Sequence, residues 1–333
     1  MIARAARIVL RAALPGARTR AMAAAFAVTI AASIAVTAPA AAAPARDASF
    51  QFSVIGHAFN SGADEALLKR ALADATQANP AFVVATGIKA GNEPCSDKLY
   101  AQRYALLNES PAPLIVSLAG SDWSECLNSA GRSNALERLN HLRDLFFPDA
   151  ASLGARRLAL TRLSGTAKFR SYAENAHWEV GQVLFATINL PAGNNHFRAE
   201  AGRNSEYEDR LVANRAWLHR LFTLAERRKL AALVLFSDGD LGLPPDDSWS
   251  ALLPSFQSAN QDGFAEPRRQ IKAMAEKFDG KVLLIDTQGA AGTEPAINWR
   301  GNLGHLGLGA EPLQLRYSAG SFSIKGNAEA PAQ

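Results

Sequence analysis

Short apolar runs alternate with longer stretches of helical periodicity along much of this chain, and that rhythm limits what it can fold into. "FQFSVIG" (50–56) reads as a first buried strand. "ADEALLKRALADATQA" (63–78) then places Leu68, Ala71, Leu72 and Ala75 on one helical stripe. "AFVVATG" (81–87) is a second strand, followed by the irregular "IKAGNEPCSD", a helix around "KLYAQRYALLNE" and a third strand, "PLIVSLAG" (113–120). Strand, helix, strand, helix, strand argues for a sheet covered by helices, with ligand sites on loops beyond the carboxyl ends of the strands.

The second half is more mixed. "HWEVGQVLFATINL" has Gly181 where a hairpin turn belongs, with alternating flanks like paired antiparallel strands. A long helix is expected over "SEYEDRLVANRAWLHRLFTLAERRK", then a buried strand "LAALVLFSD" and a loop holding Pro244 and Pro245. The helix "EPRRQIKAMAEKF", the strand "KVLLIDT" and a closing strand pair in "LQLRYSAGSFSIKG" complete the series. Gly301, Gly304, Gly307 and Gly309 resemble a phosphate cradle only by composition; their spacing is that of neither a P-loop nor a dinucleotide fingerprint, and a flexible loop is expected. No internal repeat is visible. The expectation is one α/β domain of mixed sheet over 49–326, with a disordered tail at 327–333.

Of the 333 residues, 48% are apolar and 20% charged, enough for one large core or two small ones. The formal charge of +4 points to nucleic acid only superficially. Arg4, Arg7, Arg11, Arg18 and Arg20 lie in the first 45 residues, which hold no acid, and without them 30 basic residues face 31 acidic ones. That leader has an arginine-bearing start, the uncharged run "AMAAAFAVTIAASIAVTA" and the small-residue tract "PAAAAPA" of a secretion signal, with cleavage near Ala42 and a signal segment over 1–42. An uncleaved anchor is the alternative, since 18 uncharged residues just span a bilayer. The expected location is periplasmic or extracellular, with membrane contact only through the signal segment and no nucleic-acid partner.

Export sets the redox context for the only two cysteines, Cys95 and Cys126. An oxidising compartment favours their pairing, and two unrelated buried thiols are the alternative. Neither has a histidine nearby in sequence or a recognisable nucleophile motif.

The series "FSVIGHAF", "PAFVVATGIKAGNEPCSD", "PLIVSLAGSDWSEC", "LERLNHLRDLFFPDAASLG", "HWEVGQVLFATINLPAGNN" and "KVLLIDTQG" resembles the segment order of an exported branch of the calcineurin-like metallophosphoesterase family. It spans nearly all of the chain beyond the leader. Its most specific matches are Pro94, Cys95, Ser96 and Asp97, then Trp123 and Cys126, the Phe-Phe-Pro at 146–148, and Asn194 and Asn195. The resemblance implies a four-layer α/β/β/α sandwich with two mixed sheets, and strengthens the disulfide reading because the cysteines occur together in relatives.

In that family two metal ions hold a hydroxide that attacks phosphorus, and anionic oxygen ligands with imidazoles keep the two cations close. Carried over residue by residue, the first ligand aspartate falls on His57, the bridging aspartate on Ile88, and the third block's Asp and Asn on Gly120 and Ser121. The late histidine-bearing turn falls on "DTQGAAG" (286–292), which has no histidine. An isoleucine offers no atom to ligate a cation or to offset repulsion between two. The expectation is therefore an exported phosphoesterase-fold protein, catalytically degenerate, with a binding or structural role and neither divalent metal bound. A working periplasmic hydrolase with an altered metal site is the alternative.

The remaining mouth is expected to comprise His57, Asp122, Asn194, Asn195, His196 and Asp238, facing an unidentified small molecule or protein. A mononuclear site using His57 and His196 with Asp238 or Asp240 is a further possibility. His141 and His219 are expected on helices as surface or packing residues. Asp238 and Asp240 bracket a glycine after a strand, a pattern of solvated turns. No Gly-x-Ser-x-Gly elbow is present.

Overall fold

The computed structural model describes residues 49–56, 65–198, 204–242, 262–290 and 292–325. The leader, His57, Pro244, Pro245 and the 327–333 tail lie outside the described residues. Two mixed sheets organise the rest. The first runs in the order β12-β11-β1-β2-β3: β1 (Phe50–Ile55), β2 (Val83–Thr86) and β3 (Leu114–Ser117) are parallel, and β11 (Leu313–Ser318) and β12 (Ser321–Ile324) extend it antiparallel. The second runs β4-β5-β6-β7-β8-β10-β9. Its centre is parallel, built from β6 (Val183–Thr187), β7 (Ala232–Phe236), β8 (Lys281–Asp286) and β10 (Leu303–Gly307). Antiparallel β4 (Thr161–Arg162), β5 (Ala176–Val180) and β9 (Asn298–Arg300) flank it.

The strands look uniformly apolar in sequence because both faces are buried, yet the period of two still sorts their side chains. Phe52 and Val54 of β1, Val84 of β2 and Ile115 of β3 join Val183, Phe185, Val234, Phe236, Leu283 and Ile285 of the second sheet in one cluster. The sheets therefore pack face to face. Phe185 lies at its centre, its ring 5.2 Å from Phe52 and 4.8 Å from Phe82 in edge contacts. Burial of each such ring contributes roughly 2–3 kcal/mol.

The alternate residues face outward under helices. Ile55, Val83, Ala85, Leu114 and Val116 pack with residues of α1 (Glu65–Thr76), α2 (Asp97–Asn108) and α4 (Ala135–Phe146). Leu184, Ala186, Leu233, Leu235, Val282 and Leu284 do so with α5 (Ser205–Arg227) and α6 (Ala265–Ala275). The buried residues of α1 are the expected four, Leu68, Ala71, Leu72 and Ala75. Ser53, a buried polar residue of β1, points to the helix side, where its hydroxyl donates to the Ala75 carbonyl at 2.7 Å.

Gly181 makes the expected β5–β6 turn, with φ +58°. The glycine-rich segment 301–309 is not the loop expected from its composition. It forms the β9–β10 hairpin, turning at Gly301 with φ +61°, and Gly304 is needed because a Cβ there would sit 2.8 Å from the Trp299 ring. Cys95 and Cys126 form a disulfide across 31 residues, with Cα atoms 5.8 Å apart. Among the described residues no helix is long and apolar enough to cross a membrane.

Candidate functional site

The carboxyl ends of the parallel strands in both sheets come together, and the chain leaves each through a tight, polar segment. Where β1 ends, a Cβ on Gly56 would lie 2.7 Å from the Gly309 carbonyl, so the rim of one sheet abuts the segment after β10 of the other. Beyond β3 the backbone enters a one-turn helix, α3 (Gly120–Trp123), which sequence periodicity does not reveal.

Three aspartates organise this rim, and each accepts hydrogen bonds from two backbone amides. Asp122 of α3 accepts from Ile88 N at 2.9 Å and Ala119 N at 2.7 Å, tying the exits of β2 and β3. Asp238, after β7, accepts from Gly120 N at 2.6 Å, Ala192 N at 2.7 Å and the Thr287 hydroxyl at 2.7 Å. It thereby links segments following strands of both sheets. Asp286, at the end of β8, accepts from Leu241 N and Gln288 N, each at 3.0 Å. All three residues are fully buried. Asp238 is thus a buried acceptor and not part of the solvated turn expected for Asp238 and Asp240; only Asp240 is exposed.

Ile88 is fully buried among the apolar residues beneath the first sheet's helices. Its peptide is held at both ends, by Asp122 at the amide and by Arg103 Nε at the carbonyl, 3.0 Å away. Arg103 in turn pairs with Glu93 at 2.7 Å, and Glu93 caps Ala90 N at 2.8 Å. The irregular segment after β2 is a closed hydrogen-bonded loop. Next to Ile88, the buried Lys89 ammonium donates to the Ala90 carbonyl at 2.8 Å. Burial pushes its pKa down, opposed by the charges of Asp122, Glu93 and Glu125.

At Gly120 a Cβ would meet the Ala192 carbonyl at 3.0 Å and Ser124 Oγ at 3.2 Å, so a carboxylate side chain does not fit without movement. Ser121, nearly buried, directs its hydroxyl to the Lys89 carbonyl at 3.3 Å. Ile88, Gly120 and Ser121 do not fit a bridged two-metal centre: one has no donor, one has no side chain and crowded surroundings, and one offers a neutral hydroxyl already engaged.

Asn194, Asn195 and His196 form a left-handed turn after Gly193, all four with φ between 54° and 72°. Consecutive left-handed residues are strained, by about 1–2 kcal/mol for each non-glycine position. The surroundings hold them in place. Asn194 Oδ1 accepts from Gly263 N and Asn195 Nδ2 donates to the Gly263 carbonyl, both at 2.8 Å. The fully buried Arg210 of α5 donates to the Asn195 carbonyl at 2.8 Å and to its side chain. His196 Nδ1 meets Glu206 Oε2 at 2.8 Å, and the imidazole lies edge-on to Trp123 at 5.0 Å. Burial works against the Glu206 charge, but Arg210 and His196 outweigh it and bring the pKa down to about 2.

No protein-family model matches the chain, and no curated protein matches it at a significant level. The site therefore rests on its own geometry. His57 lies outside the described residues, while the structure gathers Ile88, Gly120, Ser121, Asp122 and Asp238 into one hydrogen-bonded web. Asn194, Asn195 and His196 adjoin that web through Trp123. The mononuclear set of His57 and His196 with Asp238 or Asp240 includes a residue outside the described ones; of the others, His196 meets Glu206, Asp238 accepts from Gly120 N and Ala192 N, and Asp240 is exposed beside Arg268. His141 and His219 lie in α4 and α5, as expected.

Several polar residues escaped sequence reasoning. Arg210 and Asn214 occupy the buried stripe of α5 with Ala213, Trp217, Leu218 and Leu221, and a charge on an apolar stripe was the available signal. Asp240, Asp286 and His305 bring one ligand atom each within 4.8 Å of one another. The group is already internally paired: Asp286 Oδ2 lies 2.7 Å from His305 Nε2, and Asp240 faces Arg268 at 3.3 Å. Burial disfavours protonation of His305, yet Asp286 and Asp240 raise its pKa. Asp240 follows β7, Asp286 ends β8 and His305 lies in β10, so no spacing in the sequence marks the group; of the three, only Asp240 is a candidate from the sequence, in a different set.

Proposed function

We infer that this chain is an exported protein on a calcineurin-like phosphoesterase scaffold whose catalytic centre is retired, and that it serves in binding or structure. The observation that carries this reading is the fate of the strand-end carboxylates. A dinuclear centre needs anionic oxygens turned toward two cations, with one of them bridging. Here Asp122 and Asp238 are turned toward backbone amides, and the bridge position is Ile88 in the apolar core. The two-sheet sandwich with outer helices and the disulfide agree with such a scaffold. The leader and the disulfide agree with export.

Purified protein should carry no stoichiometric divalent metal by elemental analysis and should not turn over p-nitrophenyl phosphate or bis-p-nitrophenyl phosphate with manganese added. The His57→Asp variant should behave in the same way, since Ile88 and Gly120 are unchanged. Turnover abolished by chelator, or tight metal uptake by that variant, would sink the reading and favour a working hydrolase.

A further inference from the structure

A cavity of about 600 Å³ lies away from the aspartate web, between the amino-terminal turns of α4 and α5. That volume is in the range of small-molecule sites. Its wall includes Asn134 and Leu136 of α4, His196 and Arg198 beyond the left-handed turn, and Ser205 and Tyr207 of α5.

The chemistry of this wall favours one sign of ligand. Neither N-cap side chain bonds the first turn of its helix, although Ser133 Oγ accepts from Ala135 N of α4 at 3.4 Å. Asn204, in the cap position of α5, spends its side chain on the Arg198 backbone at 2.9 and 3.0 Å. First-turn amides of two long helices, with their partial positive charge, therefore open on the same space. The acidic groups in the wall are neutralised. Glu206 is paired with Arg210 at 2.6 Å, and Glu137 with Arg138. The Arg198 side chain is exposed and makes no ion pair among the described residues. Glu206 fixes His196 through Nδ1, which leaves Nε2 as the nitrogen with no hydrogen bond among the described residues.

The geometry points to a binding site for a small oxyanion-bearing molecule of the phosphate or sulfate type, held by Arg198, His196 and the first-turn amides of α4 and α5. Leu136 and Tyr207 supply an apolar wall for the body of such a ligand. The inference stands apart from the reading of the strand-end rim and survives either outcome there.

The test is a titration of the purified, ¹⁵N-labelled protein with inorganic phosphate at constant ionic strength in the presence of EDTA, followed by NMR and calorimetry. Saturable binding is expected, with amide shifts concentrated in 135–137 and 205–207. Arg198→Ala should weaken it about ten-fold, the loss of one charge-assisted contact. His196→Gln should weaken it as well, whereas Arg228→Ala, which removes an exposed pair with Glu179, should leave it unchanged. Sulfate should compete, and acetate should compete less well. Absence of saturable binding, shifts centred instead on Ile88 and 119–122, or an Arg198→Ala protein that binds as tightly as the parent would each overturn the site.

Discussion

His177 shows how one side chain sets a pH response. It lies in β5 with Nδ1 buried against no partner, its ring 5.5 Å from Trp217. Burial, reinforced by Arg220 and Arg228, brings its pKa down to about 4. The folded protein thus keeps the imidazole neutral while the unfolded chain takes up a proton from about pH 6.5. Stability is complete above pH 6.5 and falls as pH drops toward 4, by on the order of 2–3 kcal/mol. His177→Phe should flatten urea-denaturation stability across that window, and an unaltered slope would show the imidazole to be irrelevant. The Glu206 pair acts in a separate, lower window, its contribution being lost as pH falls from about 4.5 toward 2. His305 has the opposite sign: the pairing with Asp286 helps while the ring is protonated and is lost as pH rises through its raised pKa. The His177 and His305 shifts were not legible in the sequence, because they depend on neighbours from other elements, whereas the Glu206–Arg210 pair is an i,i+4 spacing within α5.

At the scale of elements, Asp238 is the tie on which most depends. It connects the exit of β7 to α3, to the segment after β6 and to Thr287 after β8. Asp238→Ala would strand two buried amides and should cost about 3–5 kcal/mol, read as a shift in the urea midpoint with an unchanged m-value. A loss under 1 kcal/mol would mean that water replaces the carboxylate. The elements themselves were largely readable. The α1 stripe, the β5–β6 hairpin and the long α5 followed from periodicity and from turn chemistry, because local sequence decides them. What stayed hidden was one-turn or non-local: α3, whose four residues carry no period, and the β9–β10 hairpin, whose glycines read as a loop until Trp299 is laid across Gly304. The burial of Asp238 was misread for the same reason, since its partners are distant in the chain.

For the whole molecule, the disulfide closes the span between the loop after β2 and the segment after α3, beside the aspartate web. Reduction should lower stability by roughly 3–4 kcal/mol in the chain-entropy picture. Non-reducing mass spectrometry should find Cys95 and Cys126 in one linked peptide, and two free thiols would refute the pairing. The alternation of runs indicated a sheet covered by helices; two facing sheets with helices outside were implied only by the resemblance, and the aromatic residues between them were not anticipated. The sorting of each strand's residues between two interiors was not legible either, since the central strand positions are mostly apolar and the period of two leaves few polar marks.

The left-handed turn at 193–196 also bears on how the chain assembles. Its partners Arg210 and Gly263 lie on α5 and just ahead of α6, the latter contact spanning 69 residues. Gly193 and the two asparagines tolerate that backbone, but the contacts that hold it come from α5 and from Gly263, so it settles fully only once both helices have docked on the second sheet. The wall that aims His196 would then be among the last pieces completed during refolding, and among the first released when the outer helices loosen.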